Sequence, residues 1–207
     1  MARAQRIGLL GGSFNPAHEG HLHISREALK RLKLDQVWWL VSPQNPLKKK
    51  DELADYAERF THAQYVARDP RIKVLDLERR EGLYYTIDSL RHLTARYPQM
   101  QFVWLMGADN LAGFHRWRSW REIAKLLPIA VLDRAPYALK ALAGPFARSF
   151  SATRMHERDA ALLATKSAPS WLYLSIPRHP ASATQLRKTL GKKAYLRHTE
   201  RTSTIEE

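Results

Sequence analysis

The sequence predicts an α/β protein with a Rossmann-like, doubly wound and mainly parallel sheet that carries helices on both faces. Two observations lead to this prediction. Short apolar runs alternate along the chain with segments of helical periodicity. The runs are apolar throughout, as QFVWLM at 101–106 shows, and this is expected of strands that are covered on both faces.

The elements follow one another in the order that a parallel sheet requires. Apolar runs predict strands at 6–10, 37–41, 101–106, 129–132 and 171–176, and an alternating pattern predicts one at 72–77. Helical spacing predicts helices at 19–34, 51–69, 86–97 and 183–190, with a broken helical stretch at 110–127. Pro70 and Pro98 end two of these helices, and the segment 137–167 has the weakest pattern. Ligands of such sheets bind beyond the carboxyl ends of the strands, so the residues after each strand are the candidate site residues.

The composition limits the class of protein. The 207 residues, of which 44% are hydrophobic and 26% charged, are ordinary for a globular chain with a substantial core. No apolar run is long enough to cross a membrane, no signal-peptide pattern is visible, and the absence of cysteine excludes disulfides and thiolate chemistry. We expect one domain over 1–207, with a basic and flexible tail from about 191, in the cytoplasm.

The formal net charge of +14 predicts a surface that attracts anions. Nucleic acid, acidic lipid and phosphorylated small molecules are all candidate partners on charge alone. The chain has no arginine–glycine repeat and no long basic block of the kind that forms a nucleic-acid arm. No feature predicts a nucleic-acid or membrane partner, and the charge alone does not choose among the remaining anions; the sequence does not predict an oligomeric state.

The loop after the first predicted strand, GGSFNPAHEGH at 11–21, does not fit three known phosphate or metal motifs. It lacks the lysine of a P-loop, its glycines have the wrong spacing for a dinucleotide fingerprint, and its histidines are one residue too close for a zincin. A three-histidine metal site would lack a nearby carboxylate or thiolate. No metal ligands are predicted.

An anion site is the interpretation that survives for this loop. Glycines let the backbone approach a ligand, and the helix that follows offers amide donors and positive potential. His18 and His21 are three residues apart and share a helix face, where they can donate to an anion in neutral or cationic form. His23 is expected to point elsewhere, into solvent. A plain structural alternative remains open, in which the glycines make a turn and the histidines cap the helix.

The loop resembles the motif Gly-x-Phe-Asp/Asn-Pro-x-His-x-Gly-His of the nucleotidylyltransferase superfamily. Asn15 stands where some members have Asp, which keeps the hydrogen bonding and loses the charge. The resemblance implies that the loop binds ATP and that its two motif histidines are catalytic. The residues implied at the ATP site are Gly11, Gly12, Ser13, Phe14, His18 and His21.

The segment SIPRHPASATQLRK after the last predicted strand resembles a second signature of that superfamily, Ile-Ser-Ser-Thr-x-x-Arg. The spacing of Ser182 and Gln185 is that of a capping box, which by itself indicates only a well-capped helix. The resemblance implies that Ser182, Thr184 and Arg187 hold the ATP phosphates and that Arg187 is catalytic. Ala181 and Ala183 depart from the signature, but no cationic group is lost.

Three more segments, VSPQNPLKKK, REGLYYTIDSL and MGADNLAGFHRWRSW, are similar to bacterial nicotinate-mononucleotide adenylyltransferases. The resemblance implies that Gly107 and Asp109 hold the adenosine part of ATP. It implies an acceptor site in which Lys48 approaches phosphate, Tyr85 and Thr86 line the nicotinate pocket, and Trp117 stacks on the pyridine ring. Leu47 and Arg118 depart from the family pattern, which often has His and an aromatic residue there.

The residues alone leave two of these roles open. Asp109 can accept from a ribose hydroxyl or cap a helix, and Trp117 can stack on a flat ring or belong to the core. The cationic residues His115, Arg116 and Arg118 beside Trp117 favour the stacking role, since they suit a ligand that carries a carboxylate and a phosphate.

The resemblance implies an adenylyltransferase that joins AMP from ATP to nicotinate mononucleotide, a step of NAD biosynthesis, with Mg²⁺ carried by the ATP phosphates. The nearest alternatives within the superfamily take nicotinamide mononucleotide or phosphopantetheine as acceptor. A class I aminoacyl-tRNA synthetase is disfavoured because the chain is short and lacks the lysine-serine loop of that class. A basic nucleic-acid-binding protein without catalysis is the alternative from another class.

Overall fold

The computed structural model describes residues 3–43, 53–133 and 142–177. The predicted helix at 183–190, the basic tail and four predicted site residues lie outside the described residues: Lys48, Ser182, Thr184 and Arg187.

The described strands form one six-stranded sheet in the order β3-β2-β1-β4-β5-β6, and every pair of neighbours is parallel. The predicted doubly wound architecture is therefore confirmed. The order reverses between β1 and β4, which makes the carboxyl ends of these two strands the place where ligands bind in such sheets. The strands are β1 (Arg6–Gly12), β2 (Gln36–Val41), β3 (Ile72–Leu75), β4 (Gln101–Gly107), β5 (Ile129–Asp133) and β6 (Trp171–Ser175).

Helices cover both faces of the sheet. They are α1 (Glu19–Arg31), α2 (Tyr56–Val66), α3 (Leu77–Arg80), α4 (Thr86–Arg96), α5 (Ala108–Gly113), α6 (Trp120–Leu126) and α7 (Pro145–Ser149). Within the described ranges, three 3₁₀ segments join them: Phe114–Arg116, Ser151–Thr153 and Glu157–Thr165. Among the described residues, no helix is both long enough and apolar enough to cross a membrane.

The element boundaries differ from the predicted ones where local turns intervene. The helix predicted to reach residue 34 ends at Arg31, because Lys33 adopts a left-handed φ of 52°. The strand predicted to reach residue 77 ends at Leu75, because α3 begins at Leu77. The segment with the weakest pattern contains α7 and two of the 3₁₀ segments.

Alternate residues of each central strand pack on opposite faces of the sheet. Leu9 and Trp104 belong to the core under α4, α5, α6 and α7. Leu10 and Leu105 belong to the second core, which α1, α2 and the segment Glu157–Thr165 cover. Because helices cover both faces of the sheet, we expect ligands to bind at the loops beyond the carboxyl ends of the strands.

Candidate active site

The loop between β1 and α1 lies at the switch point of the sheet and is built on a close backbone approach. A Cβ on Gly11 would lie 2.5 Å from Cη2 of Trp104, so only glycine lets that indole lie against β1. Phe14 has a left-handed φ of 44° and its ring stacks on Trp39 at a centroid distance of 5.0 Å. The buried ring of Phe14 thus anchors the loop in the core. Phe14 itself can therefore contact a ligand only through its backbone.

The two motif histidines form a pair at the start of α1. His18 is the N-cap residue, and its Nδ1 accepts a hydrogen bond of 3.1 Å from the Gly20 amide. Nδ1 of His21 accepts one of 3.2 Å from the His18 amide, and the two ring centroids are 3.9 Å apart. The helix-capping alternative is therefore confirmed as a role of both side chains.

Capping also determines which ring atom carries the proton. Because Nδ1 accepts a backbone N–H in His18 and in His21, each neutral ring must be protonated at Nε2. The caps thus hold both rings as Nε2–H donors, and capping and anion binding use different atoms. The sequence expectation allowed neutral or cationic rings, and the caps favour the neutral form.

The expectation for His23 was wrong. Its Nε2 lies 2.6 Å from the carbonyl oxygen of Pro177, to which it donates, and the side chain is half-buried. The contact joins α1 to the segment that follows β6. No local sequence pattern predicts this hydrogen bond, because the two residues lie 154 positions apart.

Arg59 stabilises the loops at the edge of the site, and the sequence analysis did not identify it. It is only 1% exposed, and its guanidinium donates to the carbonyl oxygens of Ser13, Ser42, Pro43 and Ala54 at 2.6–3.1 Å. The same side chain thus holds the loops that follow β1 and β2. A signal existed in the sequence, since Arg59 occupies the face of α2 that also buries Ala63 and Val66, where an apolar residue is expected.

The residues after β4 lie at the same switch point as the histidine loop. Gly107 ends β4 and is the N-cap residue of α5, and Asp109 is exposed in the first turn of that helix. Gly107 occupies the cap position itself, so Asp109 lies within the first turn of α5. Because β1 and β4 are neighbouring parallel strands, the segment after β4 and the histidine loop begin at the same edge of the sheet.

The fold brings the two segments predicted for the acceptor site together. Tyr85 is the N-cap residue of α4, with Thr86 as the first helical residue, and Trp117 precedes α6. Trp117 is half-buried and packs edge-on against Phe114, with ring centroids 5.3 Å apart. The guanidinium carbon of Arg118 lies 4.4 Å from the centroid of the Tyr85 ring, which joins the segments directly.

Known proteins resemble the chain in sequence and in fold. The cytidylyltransferase-like family model matches residues 9–189. The chain belongs to this family. A curated relative from Methylorubrum extorquens, named probable nicotinate-nucleotide adenylyltransferase, is 53% identical over 182 residues, which are 88% of this chain and 98% of the relative. A protein of the same name from Brucella suis biovar 1 is 50% identical over 188 residues, covering 91% and 97% of the two chains.

A solved structure shows the same fold at low sequence identity. It is the Plasmodium falciparum nicotinic acid mononucleotide adenylyltransferase complexed with NaAD, with a TM-score of 0.67 and 16% identity. The match covers 95% of this chain and 89% of that one. The structure of the same Plasmodium enzyme complexed with APC gives a TM-score of 0.65.

This member of the family also buries a carboxyl group that the sequence analysis did not single out. Glu78 of α3 is 7% exposed, and its Oε1 accepts a hydrogen bond of 2.8 Å from Oγ of Ser89 in α4. Burial raises the pKa of Glu78 to about 7, although hydrogen bonds from the Ser89 and Ser42 hydroxyls act to lower it. The carboxyl thus lies between the end of β2 and the first turns of α4.

Glu78→Gln is expected to stabilise the protein at alkaline pH. Between the ordinary pKa of 4.5 and the folded pKa of about 7, the folded state keeps a proton that the unfolded state has lost. The stability of the wild type therefore falls as pH rises through this window. Glutamine does not ionise, so the variant does not lose stability in this way. We expect a gain of roughly 2–3 kcal/mol at pH above the folded pKa and little change near the acidic end of the window.

Urea unfolding across that pH range measures the difference. Glu81→Gln, at an exposed neighbouring carboxylate, is the matched control and should show no such pH dependence. A Glu78→Gln gain that does not vary with pH would contradict the assignment of the shift to burial of the charge.

Proposed function

We propose that this cytidylyltransferase-like protein is a nicotinate-nucleotide adenylyltransferase that joins AMP from ATP to nicotinate mononucleotide. Curated relatives with that name, at about 50% identity over nearly their whole length, support the proposal. The observation that carries it in the structure is the pair His18 and His21, held as Nε2–H donors at the N-terminus of α1 beside the switch point.

The proposed reaction needs no general base. A phosphate oxygen of the mononucleotide attacks the α-phosphorus of ATP, the bond from that phosphorus to the β-phosphate oxygen breaks, and pyrophosphate leaves. A phosphate monoester has a second pKa near ~6, so the nucleophile is already ionised at neutral pH. The work of the protein is to bring two anions together and to stabilise the charge that develops at the α-phosphate.

The histidine loop supplies that stabilisation. Nε2–H of His18 and of His21 donates to the α- and β-phosphates, and the backbone from Gly11 to Ser13 lets the triphosphate approach β1. The N-terminus of α1 adds amide donors and positive potential on the same side. Because the rings are fixed by their caps before ATP arrives, little reorganisation is needed in the transition state.

We assign the contacts to adenosine and to the acceptor from the family resemblance and from where each segment lies. Gly107 and Asp109, next to the histidine loop across β1 and β4, hold the adenosine part of ATP. Tyr85 and Thr86 at the start of α4 receive the pyridine carboxylate, and Trp117 stacks on the ring with its exposed side. Lys48, Ser182, Thr184 and Arg187, which lie outside the described residues, are proposed to contact phosphates.

Mg²⁺ is proposed to arrive with the substrate as the ATP complex, its shell completed by water. The described part of the chain contains no group of three or more His, Cys, Asp or Glu side chains able to hold a metal ion. We further propose a cytoplasmic location and small-molecule partners only, because the substrates are dissolved nucleotides and the cysteine-free chain suits a reducing compartment.

Pyrophosphate release from MgATP across a set of acceptors tests the function. Nicotinate mononucleotide is expected to give the highest kcat/KM, with the dinucleotide identified by mass. Nicotinamide mononucleotide should be a poorer acceptor, because its neutral amide turns N–H groups towards donors. Release that depends on phosphopantetheine or on an amino acid instead would contradict the proposal, as would salt-resistant retention on RNA or DNA without any turnover.

A further inference from the structure

Arg118 projects from a turn that is fixed on both sides by aromatic packing. Before it, Trp117 packs against Phe114; after it, Trp120 is 9% exposed and lies 6.1 Å, centroid to centroid, from Phe150. Ser119, between Arg118 and Trp120, adopts a left-handed φ of 52°, a conformation that costs a non-glycine residue energy and persists where the surroundings impose it. The turn therefore presents the Arg118 side chain at the surface.

Arg118 is directed at the start of α4. Its guanidinium carbon lies 4.4 Å from the centroid of the half-exposed Tyr85 ring, which is cation–π geometry. The helices α4 and α6 share one buried core, and an ion pair between Arg91 of α4 and Glu122 of α6 spans them at the surface. The side chain of Tyr85, the N-cap residue of α4, thus serves as a platform for a permanent positive charge.

We propose that Arg118, supported by Tyr85, is a specificity-determining residue of the acceptor site: its guanidinium pairs with the carboxylate on the pyridine ring. The inference rests on the proposed function and names the group that selects the acceptor. A guanidinium has five N–H donors and no acceptor, so it matches a carboxylate. A carboxamide in the same place turns its own NH₂ towards donors and leaves hydrogen bonds unmade.

The position of Arg118 favours the carboxylate over the phosphate of the acceptor. It directly follows Trp117, the residue proposed to stack on the pyridine, and it rests on Tyr85 at the helix start proposed to receive the carboxylate. The acceptor's phosphate must instead reach the α-phosphate of ATP at the histidine loop. A contact with the phosphate would help both mononucleotides alike, so the two assignments predict different results.

The test compares kcat/KM for nicotinate and nicotinamide mononucleotides in the wild type, Arg118→Gln, Arg118→Lys and Tyr85→Leu. Arg118→Gln is expected to lower kcat/KM for the nicotinate form roughly 10–100-fold, the usual range for loss of a charged hydrogen bond, and to leave the nicotinamide form little changed. KM for ATP should not move. Arg118→Lys should recover part of the preference, and Tyr85→Leu should lose part of it, since the guanidinium then has no platform.

Arg121→Gln is the matched control, because Arg121 is also exposed and lies 4.3 Å from the centroid of the Trp120 ring, but on α6 away from Tyr85. It should leave the preference unchanged. Equal losses for both mononucleotides in Arg118→Gln, or an unchanged preference, would overturn the inference while the adenylyl transfer stands. A wild type that joins neither mononucleotide to ATP would refute the proposed function, and the inference with it.

Discussion

Arg59→Met is expected to lower the free energy of unfolding by about 3–5 kcal/mol, the range seen when a buried polar network is broken. Methionine can occupy the space of the aliphatic stem, but it donates no hydrogen bond. The partly buried carbonyl oxygens of Ser13, Ser42, Pro43 and Ala54 would each lose a donor at this edge of the sheet. Each buried acceptor left without its partner costs about 1–3 kcal/mol, less where water can enter.

Arg68→Met is the matched control for this experiment. Arg68 follows α2 and makes an ion pair with Glu19, but both side chains are about half exposed. Exposed pairs of this kind contribute about 0–1 kcal/mol, so urea unfolding should separate the two variants clearly. Similar losses in both would mean that Arg59 does not hold the two loops as the structure indicates.

Arg59→Met should also affect the candidate site in those molecules that remain folded. Ser13 belongs to the histidine loop and Pro43 to the loop after β2, and Arg59 holds both. With that tie removed, KM for ATP is expected to rise in Arg59→Met at a temperature at which circular dichroism shows the native fold. Stability and ATP binding are thus linked through one buried side chain.

The sheet was predictable because its strands are covered on both faces. In β4 every residue after Gln101 is buried and none is polar, and a continuous apolar run of that length is easy to recognise. The ends of the helices were less predictable, since they depend on single backbone conformations. Lys33 in the left-handed region, for example, lies two residues beyond the end of α1, and lysine gives no signal for that conformation.

Within the candidate site, features encoded by local sequence were predictable, and contacts between distant segments were not. The motif segments around His18, Trp117 and Tyr85 could be singled out because each resembles a local signature of a known family, and their roles stay predictions. The contacts between segments were not found, because no spacing encodes which partner lies across the sheet edge. Glu78 is an example: its buried carboxyl meets the hydroxyls of Ser42 and Ser89, which come from other elements.

His21→Ala is expected to reduce kcat by roughly 10²–10³, the usual effect of removing one preorganised donor to a developing charge. The ring of His21 is fixed by its cap to the His18 amide and by contact with Phe14 at a centroid distance of 4.9 Å. In the proposed reaction its Nε2–H would therefore meet the α-phosphate without reorganisation. KM for ATP should change less than kcat, because the donor matters most when charge develops on the phosphate.

His21→Gln separates this chemical role from the structural one. Glutamine at the third helical position can accept from the cap residue's amide as in an ordinary capping box, so the start of α1 should keep its stability. Its flexible amide does not place a donor where the rigid ring holds Nε2–H, so most of the loss in kcat should remain. Turnover close to that of the wild type in His21→Ala, with the fold intact by circular dichroism, would show that the α-phosphate is stabilised by other groups. A loss in His21→Ala that glutamine fully restores would assign His21 to capping alone.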